Sequence, residues 1–173
     1  MDNNFFVITF SVTSDCTTGK EWIARLKAKG FCVGDYAESV LLSKSFKPTS
    51  DTYEIAVLKG EIFSDRDRTT KNIHEEAKNR KFTVPNVEIA CLIREKFSDK
   101  ELEAMGLYWI ITMHEPIRDS GGDYVLLGAG RGNRDPRLST FHENPGDGWG
   151  CGGGFAFVVS QALGSLFRIL ELY

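Results

Sequence analysis

Apolar and polar positions divide this chain into two regimes. Up to about Gly106 the apolar residues recur mostly at helical spacing, and beyond it they fall in short runs separated by turns. The first run, Phe5–Val12 (FFVITFSV), is short, aromatic and β-branched, which predicts a strand. Ser14 to Thr18 supplies cap-type side chains for a helix over Gly19–Lys29, with Trp22, Ile23 and Leu26 on one face and Gly30 closing it. In Cys32–Phe46, Tyr36, Val40 and Leu41 have helical spacing, so a short helix is expected, although SVLLSKSF would also suit extended chain. Lys47–Asp51 reads as a turn. Thr52–Phe63 alternates, with Tyr53, Ile55 and Val57 on one side and Gly60 as a bulge.

Three helices are expected next. Asp65–Arg80 places Ile73 and Ala77 at i, i+4, with His74 on its solvated surface. Pro85 suits the first turn of Asn86–Phe97. Ser98-Asp99-Lys100-Glu101 is a capping-box pattern that opens a short helix ending at Gly106. Beyond it, Leu107–Met113, Tyr124–Leu127, Leu138–Phe141 and Phe155–Ser160 read as strands, divided by PIRDSGGD, GAGRGNRDPR and ENPGDGWGCGGG. Gln161–Tyr173 offers an apolar stripe at helical spacing, with a strand as its alternative. The expected architecture is α+β: a single compact domain over residues 1–173, with a mixed or antiparallel sheet. Several helices are inserted in the N-terminal half and a β-meander fills the C-terminal third, with a soft internal boundary near residue 106.

Composition narrows the function classes. With 173 residues and 12 phenylalanines, the chain can bury the core of one domain. A net charge of −3 argues against general nucleic-acid binding. The N-terminal MDNNFFVITF lacks the basic start of a secretory signal, and no apolar run is long enough for a bilayer, so no membrane association is expected. Cys16, Cys32, Cys91 and Cys151 form no CxxC pair, and a cytoplasmic location is expected.

Candidate chemistry concentrates late in the chain. Of 17 glycines, 11 lie between Asp119 and Gly154, and no lysine follows Lys100, whereas five arginines do. GAGRG after YVLL fails as a dinucleotide-binding loop, because Asn133 stands where glycine or alanine is required and Pro136 opposes a following helix. No GxxxxGK[ST] phosphate loop occurs. What remains is Arg131, Arg134 and Arg137 in a glycine-rich loop, a pattern suited to anions. Trp149, between Gly148 and Gly150, would add a stacking surface. The leading expectation is therefore a non-enzymatic cytoplasmic binding module, recognising an anionic small molecule or a protein partner through residues 118–154.

Three alternatives accompany it. Cys151, flanked by glycines, would be a nucleophile with His142 or His114 as base and Glu115 or Asp147 orienting it. The echo of Thr112-Met113-His114-Glu115-Pro116 in Thr140-Phe141-His142-Glu143-Asn144-Pro145 suggests a metal site of His114, Glu115, His142 and Glu143. Neighbouring His and Glu on a strand point to opposite faces, so each copy offers one ligand readily. Leu163, Leu166, Phe167 and Leu170 would make a homodimer seam. No catalytic set is complete, and no particular cofactor is indicated.

Ala90–Asp99, Met113–Ile117 and Gly154–Val159 resemble segments of small uncharacterised bacterial proteins, of the kind carried on phages or mobile gene cassettes. That resemblance extends from about Thr69 to Gln161. It implies no activity and assigns no site residue.

Overall fold

The computed structural model describes residues 3–132, 135–143, 146 and 148–159. After a 3₁₀ turn at Asn3–Phe6, β1 (Val7–Thr13) pairs antiparallel over its whole length with β3 (Thr52–Lys59). On its other side β3 meets β9 (Gly153–Val159), again antiparallel. The sheet continues through β5 (Trp109–Thr112), parallel to β9, then β7 (Tyr124–Gly130) and β8 (Arg137–His142), both antiparallel to the strand before. It ends at β2 (Cys32–Val33), parallel to β8, giving the order β1-β3-β9-β5-β7-β8-β2. Two short strands extend the β5 line: β4 (Phe82–Thr83) pairs with β9, and β6 (Ile117–Arg118) with β7.

The mixed sheet and the α+β class are as expected from sequence. The meander runs through β5, β7 and β8. The chain then crosses back over two strands to lay β9 between β3 and β5. Strands from both sides of residue 106 therefore share one sheet.

Local capping chemistry sets the helices. Thr18 and Glu21 form a reciprocal capping box at α1 (Gly19–Ala28), and Ser98 and Glu101 do the same at α5 (Asp99–Ala104). Between them come α2 (Asp35–Leu41), α3 (Thr70–Asn79) and α4 (Glu88–Lys96). Helix α3 starts five residues later than its sequence pattern suggested. Arg68 is buried in the preceding turn, where it donates to the carbonyls of Gly60 (2.8 Å), Phe63 (2.9 Å) and Trp149 (3.1 Å). Gly60 opens a 3₁₀ turn rather than a bulge, and a Cβ there would sit 2.9 Å from the Cys151 carbonyl oxygen.

Side-chain alternation splits the core in two. Val125, Leu127, Ala129 and Ala156 face α1, α2, α4 and α5, while Leu126, Phe155 and Phe157 face α3. Helix α4 is buried from Glu88 to Arg94. Its two buried charges sit at opposite ends, the acid in the first turn and the base in the last, as the helix dipole favours. The Glu88 carboxylate accepts from Trp22 Nε1 (3.1 Å), Ser14 Oγ (2.8 Å), Thr49 N (3.1 Å) and Thr49 Oγ1 (2.9 Å). Arg94 donates to the carbonyls of Gly130 (3.0 Å) and Phe97 (2.6 Å), pairs with Asp99 (3.2 Å) and stacks over Phe31.

Several glycines expected in turns lie in strands instead, under aromatic rings. A Cβ on Gly128 would meet the Phe141 ring at 2.8 Å, and one on Gly153 would meet the Trp109 indole at 2.3 Å. On the opposite face, a Cβ on Gly154 would lie 2.6 Å from Val57 Cγ1 and 3.1 Å from Leu107. Here glycine makes room for close packing. No helix among the described residues is long and apolar enough to cross a membrane.

Two substitutions test this account by urea denaturation. Gly154→Ala is expected to cost about 1–3 kcal/mol through overpacking. Glu88→Ala, which strands the Trp22 indole N–H and both Thr49 donors while Ser14 Oγ keeps the Thr49 carbonyl, is expected to cost about 3–5 kcal/mol. A Glu88→Ala variant as stable as the parent would show that the carboxylate does not hold these elements together.

Candidate functional site

Strand β5 stops at Thr112 and β6 begins at Ile117, while β7 runs on uninterrupted beside both. The break leaves the Leu127 N–H of β7 facing no strand. His114 fills the position: Leu127 N–H donates to its Nε2 at 2.9 Å, and its Nδ1–H donates to the Glu115 carbonyl at 2.7 Å. A ring nitrogen that accepts a backbone N–H carries no proton, so His114 is the neutral Nδ1–H tautomer. It is 2% exposed, and burial pushes its pKa down to about 4 against the weaker upward pull of the Glu115 carbonyl.

Beside this plug the break between β5 and β6 opens into a cleft of about 300 Å³, lined by His74, Val84, His114, Glu115, Pro116, Leu126 and Glu143. His74 comes from α3, half-buried, its ring edge-on to Phe157 at a centroid distance of 5.4 Å. Burial lowers the His74 pKa, and the nearby carboxylates of Glu115 and Glu143 oppose the shift. Two carboxylates and a largely neutral imidazole thus share a cleft with three apolar side chains.

The residues singled out from sequence separate into two groups. His114, Glu115 and Glu143 meet at this cleft. The fourth residue of the suggested metal set, His142, is exposed and lies 3.9 Å from Asp123. Both His114 ring nitrogens are already engaged, and among the described residues no three His, Cys, Asp or Glu side chains form a metal cage.

Cys151 lies at the other end of the sheet. It precedes Gly153, which pairs with Trp109, itself opposite Gly130, whereas His142 pairs with Val125. Five residues of strand β7 separate those rows, about 17 Å. The thiol and its proposed base do not meet.

The loop candidates are engaged in packing. Arg131 stacks over Tyr108 at 4.3 Å and pairs with Glu103 at 3.3 Å. Trp149 packs against Phe141 and Phe155 and donates its indole N–H to Thr70 Oγ1 at 3.0 Å. Arg137 is exposed. Arg134, Asp147 and the stripe Leu163, Leu166, Phe167 and Leu170 fall outside the described residues.

Sequence reasoning placed His74 on the solvated surface. The signal for burial was present, because Thr70, Ile73, His74 and Ala77 form one i, i+3, i+4, i+7 stripe. Only the imidazole's polarity concealed it.

The lowered His114 pKa carries a sign. Its folded value lies below the unfolded value near 6.5, so the unfolded chain takes up the proton first. Stability from this group is present above about pH 6.5 and is lost as pH falls towards 4, in total about 3 kcal/mol. Nuclear magnetic resonance of the imidazoles is expected to find His114 neutral at pH 5. Urea titrations are expected to show a shallower acid decline in His114→Gln than in the parent. A His114 resonance titrating near 6.5 would refute the structural role of this side chain.

No protein-family model, no curated protein and no solved structure matches the chain.

Proposed function

We propose that the protein is a binding module whose cleft receives a protonated amine or guanidinium on an apolar stem, presented by a small molecule or by a basic side chain of a protein partner. One observation carries this reading: Glu115 and Glu143 converge with His74 on an opening whose floor His114 holds fixed. The carboxylates would accept hydrogen bonds from the cation, and Val84, Pro116 and Leu126 would cover its stem. A volume of about 300 Å³ lies at the small end of ligand sites.

The anion reading of Arg131, Arg134 and Arg137 stands as the competitor. One observation favours it, the exposure of Arg137 at the other end of β8. Cys16 and Cys151 are exposed free thiols, which suits a reducing compartment such as the cytoplasm.

Thermal shift distinguishes the two. Agmatine at ten times its Kd is expected to stabilise the protein by about 1.4 kcal/mol, a rise of roughly 3–5 °C for a chain of this size. The shift is expected to vanish in Glu115→Gln/Glu143→Gln and to persist in Arg137→Ala. A shift with citrate or phosphate that disappears in Arg137→Ala, with none from agmatine, would move the site to the arginine loop.

A further inference from the structure

Among the described residues, β1 pairs on one side only, which makes it an edge of the sheet. Natural edges are usually blunted by charge, proline, a bulge or shortness. Val7–Thr13 (VITFSVT) has no charge, proline or glycine, and its seven pairs with β3 run without interruption.

The register shows which backbone groups face outward. Ser14 N–H donates to Asp51 O, so Ser14 points toward β3. Antiparallel alternation then directs Ile8, Phe10 and Val12 toward β3, and turns the N–H and C=O groups of Val7, Thr9, Ser11 and Thr13 outward.

We propose that this edge pairs with the same edge of a second copy, antiparallel about a twofold axis through Phe10. The inference goes beyond the cleft and does not depend on it. Under this symmetry Thr9 faces the partner copy's Ser11 and Val7 faces its Thr13. Every outward residue therefore meets an outward residue, and Phe10 faces its own copy. An isologous contact requires this self-complementarity.

The side chains agree with the backbone. Beside Ser11–Thr13 runs an open groove floored by Leu92 and edged by Lys29, Glu95 and Lys96. The twofold places the second copy's Ile8 opposite Val12, on the face that carries this groove, so a half-buried apolar side chain enters it. The exposed opposite face offers Thr9, Ser11 and Thr13, which are small and uncharged. The nearest acid on that face, Glu54, lies one strand in and accepts from Ser11 Oγ. The two copies of Glu54 would be three strand spacings apart, about 14 Å. That exceeds the screening length of about 8 Å at physiological salt. On this face, therefore, two like edges meet without like-charge repulsion, and on the groove face Lys29 is paired with Glu95.

Sedimentation velocity of the full chain under reducing conditions, at loadings from about 1 to about 200 µM, tests the pairing. The loadings bracket a Kd on the order of 10 µM. The weight-average mass should then climb from 19.4 kDa toward twice that value. Thr9→Pro removes one outward N–H without touching the bonds to β3, and Ser11→Pro removes another two residues on, together with the side-chain bond of Ser11 to Glu54. Either variant, with its melting temperature within a few degrees of the parent, is expected to remain monomeric at the highest loading. A parent that stays monomeric at about 200 µM would overturn the proposal. So would a folded Thr9→Pro variant that dimerises like the parent, which would place the contact on another part of the chain.

Discussion

A helix buried on every side must satisfy its polar groups within the protein, and α4 sets that requirement for the whole helical layer. Glu88, at its first turn, accepts from α1 through Trp22, from the end of β1 through Ser14, and from the loop before β3 through Thr49. Removing any one of these elements would take a donor from a carboxylate buried in the core, at a cost of about 1.5–3 kcal/mol per bond. Arg94 at the other end binds carbonyls of β7 and of the α4–α5 junction. Helix position, sheet and first layer are therefore fixed together. Rearranging one of them would unpair a buried ion.

On the opposite face the constraint is steric. Trp109, Phe141, Trp149 and Phe155 lie over a sheet whose backbone is stripped to glycine at Gly128 and Gly153. Glycine costs strand stability, and broad rings packed directly on the backbone return it through buried area. The same layer uses Trp149 as a tie, since its carbonyl and indole N–H reach Arg68 and Thr70 ahead of and within α3. The glycine and aromatic enrichment that suggested a ligand loop is largely the signature of this packing.

That distinction explains what the sequence disclosed. The capping box of α5 was legible because its partners lie three residues apart, and the cap-type residues Ser14–Thr18 marked the start of α1. The existence of β3 was legible from alternation, and that of β1 and β5 from short runs rich in aromatic and β-branched residues. The extension of β7 through Gly128–Gly130 was not, because glycine signals a turn locally and the compensating ring of Phe141 is on another strand. Nor was the return of β9 between β3 and β5, which depends on a crossover that leaves no periodic trace. At the cleft, His114, Glu115 and Glu143 were singled out for metal binding from residue type. Three members of that suggested set meet at one place and His142 does not, and residue type could not reveal that His114 is spent on the ladder.

The use of His114 also bears on how the cleft behaves. A broken strand can shed its orphan N–H to water, and the opening then breathes with the solvent. Here an imidazole fixed at both nitrogens replaces the missing strand, so the break is rigid from the floor up. Rigid floors lower the ordering cost of binding, because the groups that meet a ligand need not be assembled by it. The acid-labile His114 and the floor of the proposed binding cleft are thus the same side chain. Protonating it removes the acceptor for Leu127 and places a positive charge beneath Glu115 and Glu143. Acid would then weaken the local sheet and, at the same step, the proposed binding of a cation.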